Sequence, residues 1–100
     1  MEEIKPLARS FTRKGVLYDH VETGDSYMIY RGELAGSYWY EVFQRRINAA
    51  RKIAEVDIPA SEAFPSDESF GKWAWNCPDL ESARKRSAGI MIHKTMAVQQ

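Results

Sequence analysis

Cys77 is the only thiol in the chain, and it stands directly before Pro78 and Asp79. A helix that starts at Asp79 puts the sulfur near a positive helix end, which favours thiolate. Nucleophilic catalysis also needs a base, and the only imidazoles are His20 and His93. No third group is visible to orient either one. A lone cysteine among tryptophans otherwise serves as a small buried hydrophobe. Asp19, Glu22 and Asp25 gather around one turn, where Asp25 of Thr-Gly-Asp serves the turn itself. Neither G-x-x-x-x-G-K-[ST] nor G-x-G-x-x-G occurs, so no glycine-rich phosphate loop is present. With one cysteine, two histidines and no C-x-x-C, a disulfide has no partner and a structural zinc has almost no ligands. The expectation is a protein without catalytic residues, metal or cofactor.

Binding chemistry is better represented. Tyr18, Tyr27, Tyr30, Tyr38, Trp39, Tyr40 and Phe43 crowd segments that read as strands. Aromatic strands can stack bases, but base-stacking sheets interleave cations, and here Lys14, Arg31, Arg45 and Arg46 sit at strand ends. Packing and surface display explain the same rings without a ligand. "QRRINAARK" (44–52) carries four cations and no acid. Five acids and no cation follow: Glu55, Asp57, Glu62, Asp67 and Glu68. Such a dipole steers a complementary partner, unless the two blocks neutralise each other. The candidate partner-binding residues are Tyr38, Tyr40, Arg45, Arg46, Arg51, Lys52, Glu55 and Asp57.

These side chains need a frame. "FTRKG" (11–15) and "VLYDHVE" (16–22) read as strands. In the second, Val16, Tyr18 and His20 face one way and Leu17, Asp19 and Val21 the other. "SYMIYR" (26–31) and "SYWYEVFQRR" (37–46) are further strands, rich in aromatic and β-branched residues. Trp39, Glu41 and Phe43 share one face of the last, and Tyr38, Tyr40 and Val42 the other. Short glycine-bearing gaps make an antiparallel meander. Over 47–58 the spacing fits a short helix or an extended segment equally. Pro65 and Ser66 start a turn of helix that Gly71 ends, followed by an extended stretch with Trp73 and Trp75 on the same side. The clearest helix runs over about 79–89, with Asp79 as N-cap, Glu81 in its first turn, and Arg84, Lys85 and Arg86 towards its end.

The fold expected is α+β: a three- to four-stranded antiparallel sheet packed on one face by the C-terminal helix. Leu17, Val21, Ile29, Val42, Phe70, Trp73 or Trp75, Leu80 and Ala83 are the expected core. One hundred residues make a single domain, with residues 1–10 and 92–100 as tails. Apolar residues are 44% and charged residues 28%, an ordinary globular balance. Fourteen cations offset fourteen acids. Zero net charge argues against non-specific binding to the nucleic-acid backbone and permits self-association, so a homodimer is a candidate state. No signal peptide and no membrane-spanning run are visible, so a cytoplasmic protein that does not enter membranes is expected.

"FTRKGVLYDHVE", "SYMIYR", "YEVFQRR", "FPSDESFGKWAW" and "LESARKR" occur in this order. Together they resemble small uncharacterised proteins of phages and other mobile elements, which carry a "YEVF" strand and a "YPS-x-E-x-FG-x-x-AW" segment. The resemblance spans Phe11 to Arg86 and is sharpest at Pro65, Ser66, Glu68, Phe70, Gly71, Ala74 and Trp75. Phe64 stands where a tyrosine is usual, and the segment from Ile47 to Ala60 is charge-polarised in its own way. The resemblance implies an accessory protein that binds a host protein or protein–nucleic-acid complex, such as an anti-CRISPR-like inhibitor of host defence acting by occlusion. A small nucleic-acid-binding accessory protein, using Arg45, Arg46, Arg51, Lys52 and residues 84–86, is the alternative.

Overall fold

The structure is a computed structural model, and it describes residues 4–90. Four strands form the meander: β1 (Ser10–Arg13), β2 (Val16–Thr23), β3 (Tyr27–Leu34) and β4 (Ser37–Gln44). Residues 45–73 then make an excursion away from the sheet. The chain returns as β9 (Ala74–Cys77), which pairs with β4, and the order across the sheet is β1-β2-β3-β4-β9, antiparallel throughout. The α+β class is as expected, with five strands where three or four were foreseen.

Turn chemistry sets the meander. Ala35 and Gly36 take φ of 52° and 83°, the left-handed pair that a two-residue hairpin loop requires and that glycine accepts without strain. Between His20 and Glu22 the register of β2 against β3 shifts. This bulge leaves Val21 packed on the helix side of the sheet.

The helix α1 (Leu80–Ser87) starts where expected. Asp79 Oδ1 accepts from the Ser82 N–H at 2.7 Å, which satisfies one free amide of the first turn. Its inner face, Leu80 and Ala83, packs on Ile29, Val42 and Cys77. Gly89 is not in a left-handed conformation; the last turn tightens instead, with Gly89 N–H donating to the Arg86 carbonyl.

The sheet is buried on both faces, not one. Opposite the helix lies a second core of Tyr18, Met28, Tyr30, Phe43 and Ala74. The excursion and the N-terminal segment cover it. Phe64 is its hub, with ring centroids 5.1 Å from Phe11, 5.0 Å from Tyr18, 5.7 Å from Tyr30 and 5.4 Å from Phe43. Pro65 beside it is fully buried. The N-terminal segment is tied to this layer: Leu7 packs on it, Tyr30 Oη donates to the Ala8 carbonyl at 2.8 Å, and Lys5 bridges to Ser61. Residues 91–100, including Met91, His93 and the expected tail 92–100, lie outside the described residues.

Three core expectations change. Leu17 is 43% exposed, because α1 packs on β3, β4 and β9 and meets β2 only at the opposite end of that strand, at Val21 and Glu22. Trp73 and Trp75 lie on opposite faces rather than on the same side. Trp73 precedes β9 and packs against Phe43, whereas Trp75 pairs with Val42 and lies under the Arg86 guanidinium, 5.0 Å from the ring centroid. Phe70 packs on the second core as a partly buried neighbour, and Phe64 is the ring at the centre of that layer.

Candidate functional site

The first part of the excursion is a β-arm. Its base is β5 (Ile47–Asn48) paired with β8 (Ser61–Glu62), and its tip is a hairpin of β6 (Arg51–Ile53) and β7 (Val56–Ile58). The segment 47–58 is therefore extended, not helical. A turn of 3-10 helix, Asp67–Ser69, follows the arm as the Pro65–Ser66 pattern indicates, and Gly71 ends it at φ 88°. Ser66 and Ser69 close this turn: the Ser69 N–H donates to the Ser66 carbonyl and the Ser66 N–H to Ser69 Oγ.

The arm folds the basic block back onto the acidic one. Arg45 Nε lies 2.8 Å from Glu62 Oε2, and Lys52 Nζ lies 3.8 Å from Asp57 Oδ1. Glu62 is nearly buried, and its other oxygen accepts the Leu7 N–H at 3.0 Å. The Arg46 guanidinium lies 4.6 Å from the Trp73 ring centroid and donates to Gln44 Oε1. Arg45 and Arg46 thus fasten the root of the arm to the sheet. Arg51, Lys52, Glu55 and Asp57 lie on its exposed tip.

Tyr38 and Tyr40 are at the other end of β4. Tyr40 is half-buried against the helix-side core, and Tyr38 is 54% exposed. The Arg31 guanidinium sits 4.4 Å from the Tyr38 centroid, and the Tyr40 ring meets Tyr38 edge-on at 6.2 Å. Register places Leu17, Glu33 and Tyr38 side by side across β2, β3 and β4 on one face. Pairing of β9 with β4 begins at Cys77 opposite Tyr40, so no strand pairs with the outer edge of β4 from Ser37 to Trp39 among the described residues. Leu34, 48% exposed, lies at the adjoining turn. The eight residues named from sequence therefore form two groups, at opposite ends of β4. Arg31 and Leu17 complete the sheet group. The missing signal for Arg31 was its register opposite Tyr40, two residue pairs from Tyr38 on the same face.

Chemistry at Cys77 has little support. The residue is buried, and that burial pushes its thiol pKa up, against a smaller opposite effect of Arg86. A raised pKa reduces the thiolate fraction. His20 packs on Tyr30, on the sheet face away from Cys77, and its Nε2 lies 2.6 Å from Thr23 Oγ1.

One titratable group is buried where the sequence gives only its place on a strand face. Glu41 is 4% exposed, in the middle of β4. Its Oε2 accepts from Trp39 Nε1 at 2.9 Å and from Tyr18 Oη at 3.1 Å, while Oε1 is buried without a partner. Loss of solvent raises the Glu41 pKa, against the two hydrogen bonds and the nearby Arg13 charge. Burial and the same carboxylate push the Tyr18 hydroxyl up to about 12.

No helix among the described residues is long and apolar enough to cross a membrane. No family model, curated protein or solved structure matches the chain.

Proposed function

We propose that the protein is a non-catalytic protein-binding module whose contact surface is the sheet corner formed by Leu17, Arg31, Leu34 and Tyr38. The observation that carries this is the solvent-facing Tyr38 with Arg31 stacked on it, beside two exposed leucines and a strand edge without a neighbour. Tyrosine and arginine dominate the energetics of protein interfaces, and an open edge offers main-chain hydrogen bonds in addition. Core packing accounts for Tyr18, Tyr30 and Phe43, but not for Tyr38.

The resemblance to phage and mobile-element proteins supplies the setting: an inhibitor that occludes a working surface of a host defence complex in the host cytoplasm. Occlusion needs a rigid, presented surface and no reacting group, which agrees with the buried, high-pKa thiol. The nucleic-acid reading has weaker support. Of the cations it relies on, Arg45, Lys52 and Arg84 are ion-paired, and Arg46 and Arg86 lie on tryptophan rings.

Affinity capture from host lysate, read by quantitative mass spectrometry, tests the proposal. The native chain and a Leu17→Ser, Arg31→Glu, Tyr38→Ala variant are used side by side, with a salt titration of DNA and RNA binding in parallel. The expected result is one protein complex enriched by the native chain and lost with the variant, and negligible nucleic-acid binding at physiological salt. Equal capture by both chains, or tight salt-sensitive binding to nucleic acid, would reject it.

A further inference from the structure

The arm tip shows an amphipathic surface that the sheet corner does not use. Register fixes its faces. Arg51 pairs with Ile58 and Ile53 with Val56, so these four share one face, and Lys52 and Asp57 occupy the other. The Lys52–Asp57 ion pair settles that second face. On the first, Ile53 is 52% and Val56 58% exposed. A hairpin with no third strand or packed layer is marginal by itself. The turn adds a cost, since Ala54 and Glu55 take φ of 49° and 68° without a glycine. Strained backbone persists where other contacts hold it.

A charge stands at each end of this hairpin. Arg51 is at the base of the hairpin and Glu55 at its tip. Neither side chain has a hydrogen-bond or ion-pair partner among the described residues, although the other charges of the arm, Lys52, Asp57 and Glu62, are paired.

We propose that the arm tip is a self-association element, in which two copies of the chain lay their Ile53–Val56–Ile58 faces together, antiparallel, about a two-fold axis. The antiparallel arrangement sets the base of one hairpin against the tip of the other. Arg51 then meets the partner's Glu55, and the symmetry axis repeats the contact. A parallel arrangement would oppose like charges. A second copy is the occupant whose charge order matches by construction, because a two-fold interface presents the same patch twice. Zero net charge leaves no long-range repulsion against it.

Sedimentation equilibrium on the full chain over a range of concentrations tests this. The native chain is expected to form a concentration-dependent dimer. Ile53→Asp combined with Val56→Asp should give a monomer with an unchanged circular dichroism spectrum, since the tip lies outside both cores. Arg51→Glu and Glu55→Arg should each weaken the dimer about tenfold, through two repelling contacts. The two reversals combined should restore it. A native chain that stays monomeric at about millimolar concentration, or a dimer that survives the Ile53→Asp/Val56→Asp change, would overturn the proposal. A double reversal no better than the single ones would overturn the antiparallel pairing.

Discussion

Phe64 meets four other rings, although its position in a proline-flanked loop marks it as connecting chain. Truncating it opens a void over the sheet, among rings from β1, β2, β3 and β4, and removes edge-to-face contacts, so Phe64→Ala should cost about 3 kcal/mol. Urea unfolding followed by tryptophan fluorescence measures this, and a loss below about 1 kcal/mol would show that the ring is not central. Glu41 makes a second residue-level prediction. Its folded pKa lies above the ordinary carboxylate value, because burial outweighs its hydrogen bonds and Arg13. Tyr18 from β2, Arg13 from β1 and Asp67 from the 3-10 turn also face it. A raised folded pKa gives stability that is fully present below the unfolded pKa and is lost as pH rises through the folded one. The unfolding free energy of the native chain relative to Glu41→Gln should therefore fall as pH rises through the window above the ordinary glutamate pKa of about 4.3. A difference that stays flat across this window would mean Glu41 titrates normally. Neither residue's part was legible from sequence. Period-two alternation puts Glu41 on a face with Trp39 and Phe43, but not whether anything covers that face.

At the scale of elements, the meander was readable because glycines mark its turns and alternation marks its strands. The helix was readable because Asp79, Glu81 and the 84–86 cations follow the order of a capped helix dipole. The arm was not. Ile47, Ala50, Ile53 and Ile58 fit helical spacing as well as an extended one, and the choice was made by partners: Arg51–Ile53 lies opposite Val56–Ile58, and Ile47–Asn48 opposite Ser61–Glu62. Sequence also left open whether the charged blocks meet a partner or each other, and the ribbon joins them at two places. Glu62 is the fastening with most at stake, because it holds Arg45 and the Leu7 amide while almost out of water. Glu62→Ala should cost about 2 kcal/mol, leaving an amide and a guanidinium without their acceptor. Amide hydrogen exchange should show lost protection at residues 5–7 and 45–63 before the sheet changes. Unchanged protection there would contradict the anchoring role.

On the scale of the molecule, the sheet is a central layer with a helix on one side and loop-borne aromatics on the other. A signal for this was present in unbroken apolar runs, Met28-Ile29-Tyr30 and Val42-Phe43, since a strand buried on both faces loses its alternation. Covering both faces uses most of the aromatic side chains for folding. Most of the large apolar side chains left exposed fall in two places: the corner around Tyr38 at one end of β4, and the arm tip beyond the other. The corner carries the proposed function. Once the captured host protein is purified, the direct test is its affinity for the native chain and for Tyr38→Ala, measured by calorimetry with the fold checked by circular dichroism. The expected result is a loss of about thirtyfold, the size of an interface hot spot. An unchanged Kd with Tyr38→Ala would contradict the assignment of the sheet corner as the binding surface.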